Sequence, residues 1–125
     1  MEVARLIMSS ILNDVKKAIG PSATYEYFNP DLIMHINTAL FELNQLGVGP
    51  DEPFVIEDDK AEWSDFLLSS KIEAAKTYVC LKVRMYFDPP QTGTLINAIE
   101  KQLDRLEWRL NVAVDPGDEE EVEEG

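Results

Sequence analysis

Apolar side chains recur along this chain at the three- and four-residue spacing of helices, and they lose that spacing in one acidic, proline-containing interval and again at the C-terminal end. Leu6 or Ile7, Ile11, Val15 and Ala18 or Ile19 predict a first helix over roughly Val3 to Ile19, closed by Gly20 and the breaker Pro21. The second start is marked three ways. Asn29 can cap, Pro30 suits the first helical position, and Phe28 with Ile33 has the spacing of a hydrophobic staple. That helix would bury Leu32, Ile36, Leu40 and Leu43 and stop near Gly47.

Gly47 to Lys60 holds too much Gly, Pro and Asp for a helix, although Phe54-Val55-Ile56 suits a short extended segment. Asp59 with Glu62 has capping-box spacing and could open one or two turns containing Trp63, Phe66 and Leu67. Ser70 with Glu73 repeats that spacing before a third long helix, about Lys71 to Phe87. This helix carries Ile72, Ala75, Tyr78, Val79, Leu81, Val83, Met85 and Tyr86 on nearly every side, the mark of a central helix. Lys76, Lys82 and Arg84 must share its narrow polar edge. Asp88-Pro89-Pro90 ends it, because the residue before a proline is pushed out of helical space and proline has no N–H to donate. Leu95, Ile99, Leu103, Leu106 and Leu110 then form the stripe of a fourth helix, about Thr94 to Ala113, and the short connection makes helices three and four an antiparallel hairpin. The expected fold is all-α: a small bundle of four main helices with a long structured loop between the second and third. Residues 1–114 would form the helical domain, and residues 115–125 an acidic tail that is disordered or ordered only by a partner.

Charge sharpens this division. Of the net −13, Asp115 to Glu124 supplies −7 and Asp51 to Asp65 supplies −6, so the rest of the chain is neutral. Acidity therefore belongs to a tail and a loop, which argues against a DNA-binding surface that works by counterion release. Cys80 is the only cysteine, so an intrachain disulfide and a cysteine-based zinc site are excluded, and its apolar neighbours suit a core position. The apolar stretch Leu6 to Leu12 is broken by serines and followed by Asp14, Lys16 and Lys17, which reads as neither a signal peptide nor a membrane span; a soluble, intracellular chain is expected.

Catalysis finds little support. The one histidine, His35, lies at the flank of the second helix's core stripe with no second histidine or cysteine to build a site, and no phosphate loop or nucleophile elbow is present. Glu100, Asp104 and Glu107 share one face of the fourth helix, as the magnesium ligands of a helical nucleotide pyrophosphohydrolase would. Lys101 and Arg105 alternate with them and the third helix offers only Glu73, so a solvated mixed-charge face is the better reading. No enzyme, metal or cofactor is expected.

Three apolar features stand off the helical stripes. Trp108 points away from Leu103, Leu106 and Leu110 beside Arg105 and Asp104; Met34 and Phe41 share the nominally polar side of the second helix; Phe54, Trp63 and Phe66 lie in or beside the acidic loop. Either the loop folds over the bundle and covers its aromatics, or these groups are anchors for a partner, a role in which tryptophan beside arginine is common.

These segments resemble a known family. LKVRMYFDPP, a following helix ending LEWRLNVAVDP, the earlier IMHIN and LNQLGVGP, and the Trp63-x-x-Phe66 spacing together resemble the head–tail connector (adaptor) proteins of long-tailed phages and prophages of Gram-positive hosts, over approximately Ile11 to Pro116. The resemblance implies a structural virion protein, made in the host cytoplasm and joining a dodecameric ring beneath the portal protein. That ring would link to a stopper or other tail-completion protein and let double-stranded DNA pass without sequence-specific binding or any membrane contact. It also implies that the C-terminal helix and tail, here Trp108 through Val114, face the portal; Arg84 of the third helix and Arg105, Trp108, Arg109, Asn111 and Val112 of the fourth are the expected portal or intersubunit contacts. Phe54, Ile56, Trp63 and Phe66 would reach a neighbour or the stopper, and Asp88, Pro89 and Pro90 would be a structural reversal. Asp118 to Gly125 falls outside the family's pattern. An acidic DNA mimic inhibiting a nucleic-acid enzyme is the rival reading, and loss of residues 115–125 would cripple a mimic but not a connector.

Overall fold

In the computed structural model, residues 9–113 are described, with the side chains of Ser22, Val112 and Ala113 left aside. The five α-helices among them are α1 (Ile11–Ile19), α2 (Asn29–Gln45), the single turn α3 (Trp63–Phe66), α4 (Ile72–Phe87) and α5 (Gly93–Ala113). Short 3₁₀ turns at Pro21–Ala23 and Glu26–Phe28 join α1 to α2. The all-α bundle expected from periodicity is what forms, with α4 at its centre packed against α1, α2 and α5. Ile11, Leu12 and Val15 of α1, Leu32, Ile36, Ala39, Leu40 and Leu43 of α2, and Ala75, Tyr78, Val79 and Val83 of α4 are almost wholly withdrawn from solvent. They carry most of the hydrophobic stabilisation.

The helix starts differ from expectation in instructive ways. Helix α1 begins at Ile11, because Ser10 adopts extended backbone and its Oγ accepts from the Asn13 N–H, an N-cap. The expected turns before Ser9, and the tail at 115–125, lie outside the described residues. Asn29 does not cap α2: the preceding 3₁₀ turn runs straight into the helix, so Asn29 is already helical and its Oδ1 accepts instead from Lys16 Nζ at 2.7 Å. The box at α3 is Glu62 with Asp65, whose carboxylate accepts from the Glu62 N–H at 2.9 Å, rather than Asp59 with Glu62. Helix α4 starts after Lys71 with no side-chain cap, so Ser70 does not open it; Ser69 Oγ accepts the Lys71 N–H in the turn before.

Helix α2 ends in a Schellman motif, with Val48 N–H bonded to Leu43 O and Gly47 N–H to Asn44 O. Gly47 supplies the positive φ of 85° this requires, and the following Val48 is buried. From there the acidic interval is held as a fixed layer rather than as a strand. The Asn37 side chain, projecting from mid-helix, brackets the backbone of Ile56, accepting its N–H at 2.8 Å and donating to its carbonyl at 3.1 Å. Asn44 donates to the carbonyls of Pro50 and Asp51. Farther on, Ile11 N–H bonds Ala61 O at 3.0 Å and Trp63 N–H bonds Ser9 O at 3.2 Å, stitching the loop to the start of α1.

The hairpin between α4 and α5 follows the double proline. Asp88 N–H closes α4 on Arg84 O at 2.8 Å, Pro90 is buried while Pro89 is exposed, and Thr92 Oγ1 accepts from Leu95 N–H at the start of α5. Ile99, Leu103, Leu106 and Leu110 face the bundle as the stripe requires. Leu95 does not; it is 50% exposed, because it lies in the first turn of α5, at the edge of the bundle beside the reversal.

Candidate functional site

On the solvent side of α5 the side chains follow directly from the leucine stripe. At 100° per residue, Trp108 lies opposite Leu103, Leu106 and Leu110, and its indole is 69% exposed. Asp104, Arg105, Trp108 and Arg109 line an open groove of about 320 Å³. Lys101, Arg105 and Arg109, at i, i+4 and i+8, make a basic stripe beside the indole, and all three are exposed. Among the described residues the ion pairs are Lys76 with Asp14 and Lys82 with Glu42, so this stripe carries none. Asn111 is exposed one turn farther on, and Val112 lies in the helix with its side chain outside the description. The i, i+4, i+8 spacing of this stripe is legible in the sequence, where Lys101 and Arg105 also alternate with the acids of the helix.

Arg84 is also exposed, but the hairpin separates it from this groove. It stands near the reversal while Trp108 is most of a helix away, a difference of roughly 18 Å in helix rise. Met34 and Phe41 are exposed on α2, as their wheel positions indicate.

The loop aromatics require a correction. Trp63, Phe66 and Ile56 are buried in their own chain and Phe54 is half-buried against Phe66, with ring centroids 5.6 Å apart. Contacts from Ile56, Trp63 and Phe66 to a neighbour or stopper do not fit this arrangement, since the loop folds over the bundle and uses them as its own core, whereas Phe54 is only partly covered. The apolar side chains it leaves outside are Val55 and Leu68.

Two polar clusters hold the layers in place. Asp14 accepts from Ser9 Oγ, from Trp63 Nε1 at 2.9 Å and from Lys76 Nζ at 3.1 Å, with the ammonium also 5.8 Å from the Trp63 ring centre. Burial alone would raise the Asp14 pKa, but the Ser9, Lys76 and Trp63 donors outweigh it and hold the carboxyl below its ordinary 3.8. The folded chain therefore binds fewer protons at this site than the unfolded one. Its stabilisation is complete above the ordinary value and disappears as pH falls through the folded one. Asp14→Asn should lower stability by about 1–2 kcal/mol near neutral pH and flatten the acid limb of a pH-dependent urea-denaturation series; an unchanged acid limb would contradict this.

In the second cluster the Tyr78 hydroxyl lies 2.8 Å from Glu107 Oε2 and 3.2 Å from Glu42 Oε1, while Lys82 Nζ pairs with Glu42 at 2.8 Å. Burial, then the Glu107 and Glu42 carboxylates, drive the Tyr78 pKa upward, so it stays a donor. Burial would lower the Lys82 pKa, yet the bond to Glu42 raises it. Glu107 is thus turned toward the bundle, tying α5 to α2 and α4, and leaves only Glu100 and Asp104 on the face once compared with a magnesium site. Among the described residues no group of three or more His, Cys, Asp or Glu side chains is placed to hold a metal. His35 is half-buried with its ring against Tyr86, and Cys80 is half-buried with its thiol pKa pushed up to about 11 by burial. Neither is arranged as a catalytic group.

A helical body with an exposed tryptophan–arginine face fits an assembly component, and one comparison decides which kind. The model of a family described as phage connector protein matches residues 11–117. The chain belongs to that family. The matched span begins with α1 and takes in every described helix. Membership makes the chain a structural head–tail connector, a virion component that contacts other phage head or tail proteins. No curated protein and no solved structure matches the chain. No described helix is long and apolar enough to cross a membrane.

Proposed function

We propose that this connector is one subunit of a ring, dodecameric as the family resemblance implies, seated beneath the portal of a long-tailed phage of a Gram-positive host and joined below to a stopper or other tail-completion protein. Double-stranded DNA passes through the ring without being read. Trp108 carries this reading: a large indole is exposed on a helix whose opposite face is fully engaged, with Arg105 and Arg109 at its side. Tryptophan and arginine are the residues most enriched among energetic anchors of interfaces. A ring built head to tail uses two different faces of each subunit, so Arg84 and the Trp108 groove need not share one patch. On this reading Arg105, Trp108, Arg109 and Asn111 meet the portal or the next subunit, and Arg84 serves a separate contact.

Trp108→Ala should weaken assembly onto isolated portal rings by about 2 kcal/mol or more, roughly 30-fold in affinity, while leaving the denaturation midpoint of the free chain unchanged. Cosedimentation with portal rings and electron microscopy of the complexes provide the measurement. Undiminished decoration of portals by the variant would remove Trp108 from the interface.

A further inference from the structure

The groove on α5 and the acidic end of the sequence carry opposite charge. Lys101, Arg105 and Arg109 form an exposed cationic stripe beside Trp108 and have no ion pair among the described residues. Two residues past the end of that helix the sequence reads Asp115-Pro116-Gly117-Asp118 and then runs on as Glu119-Glu120-Glu121-Val122-Glu123-Glu124. Proline at the second and glycine at the third position, after an aspartate, is the composition of a tight reversing turn.

The dimensions agree. From Ala113 back to Arg109 and Arg105 is about 6 and 12 Å of helix rise. An extended segment from Asp118 to Val122 covers about 13 Å. Glu119 to Glu121 would come abreast of Arg109 and Arg105, and Val122, the lone apolar side chain of the run, would come near the Trp108 groove. We propose that the acidic segment 118–124 docks in cis on the Lys101–Arg105–Arg109 stripe and shields Trp108.

Charge complementarity is the argument for this occupant. The stripe sets three cations on one side of Trp108 against the exposed carboxylates of Glu100 and Asp104 on the other, and the segment holds six carboxylates with no base. Individual exposed ion pairs are weak, but a tether this short gives an effective concentration in the millimolar range, so even weak attraction fills the groove part of the time. Such a strap would be displaced by any partner with a better claim on Trp108. Groove occupancy is read on the isolated chain and portal binding only with portal present, so the strap and the portal reading fail separately.

Acrylamide quenching of tryptophan fluorescence in the full-length chain tests the proposal, because Trp63 is fully buried and Trp108 reports almost alone. At low ionic strength the Glu119→Gln/Glu120→Gln/Glu121→Gln variant should show a roughly two-fold larger quenching constant than the natural sequence, as expected when a groove about half occupied is released. Arg105→Gln/Arg109→Gln should produce the same rise, and combining the two sets should add nothing further. At about 1 M salt, where the screening length falls to about 3 Å, all four proteins should converge. Equal quenching at low salt, or fully additive effects of the two variant sets, would overturn the docking. Protection that grows with protein concentration would instead assign the groove to a neighbour's tail and overturn the cis arrangement.

Discussion

Replacing Trp63 with alanine should cost the fold about 3–5 kcal/mol, a third or more of the stability of a domain this size. The indole is completely buried, so its removal forfeits both the transfer of a large aromatic from water and the packing around it. Its Nε1–H also supplies one of the donors that keep Asp14 ionised, and Lys76 sits over the ring. Loss of the side chain therefore weakens the anchor through which the loop, α1 and α4 meet. Trp63→Phe, which retains most of the ring but not the N–H, should lose about 1–2 kcal/mol and separate the hydrogen bond from the packing. Urea denaturation followed by circular dichroism reads both. A shift below about 1 kcal/mol for the alanine variant would mean that the loop layer is dispensable to the core. Because Trp63 and Trp108 lie on different parts of the molecule, the first should fail in folding and the second in assembly.

The legibility of this fold from sequence divides along a physical line. Helix periodicity fixes which face of α2 and α5 is buried, since one step of the pattern displaces a side chain by 100° and few registers bury a full stripe. Trp108 was visible for the same reason: a tryptophan outside the stripe has nowhere in its own helix to hide. Capping was misread at Asn29, Asp59 and Ser70 because the backbone entering each helix decides where it starts: α2 and α4 begin with no side-chain cap, and at α3 the box falls to Glu62 with Asp65. At Asn29 the 3₁₀ turn Glu26–Phe28 decides it, and the side chain is released to Lys16.

The two readings of the loop aromatics stayed open in the sequence for a deeper reason. Whether Trp63 and Phe66 faced a partner or the bundle depended on contacts far apart in sequence, such as Asn37 with Ile56 and Asp14 with Trp63, which no local pattern encodes. A clue did exist in Asn37: a poor helix former at mid-helix, flanked by core positions, implies that its amide has work elsewhere. Glu107 was misassigned similarly. Its wheel position borders the core, and only the arrival of the Tyr78 hydroxyl from α4 turns it inward.

Gly49→Ala is the second substitution expected to be severe, at about 2–4 kcal/mol, although it adds only one methyl group to a half-exposed position in the loop. Two independent costs coincide there. The backbone has φ of 96°, a region that residues with a Cβ rarely adopt. A Cβ at this position would also stand 2.5 Å from Cε1 of Phe66, well inside contact distance. The ring has little freedom to retreat, since Phe66 is buried and Phe54 packs against it. Pairing the change with Phe66→Leu separates the two costs. The smaller side chain should relieve the clash, so that Gly49→Ala is less damaging in the Phe66→Leu background, whereas the backbone strain remains. A double-mutant cycle by chemical denaturation should therefore show coupling of about 1–2 kcal/mol between the positions. Strict additivity would mean that strain alone sets the cost, and a neutral Gly49→Ala would mean that the loop can shift as a body without disturbing the Trp63–Asp14 anchor beneath it.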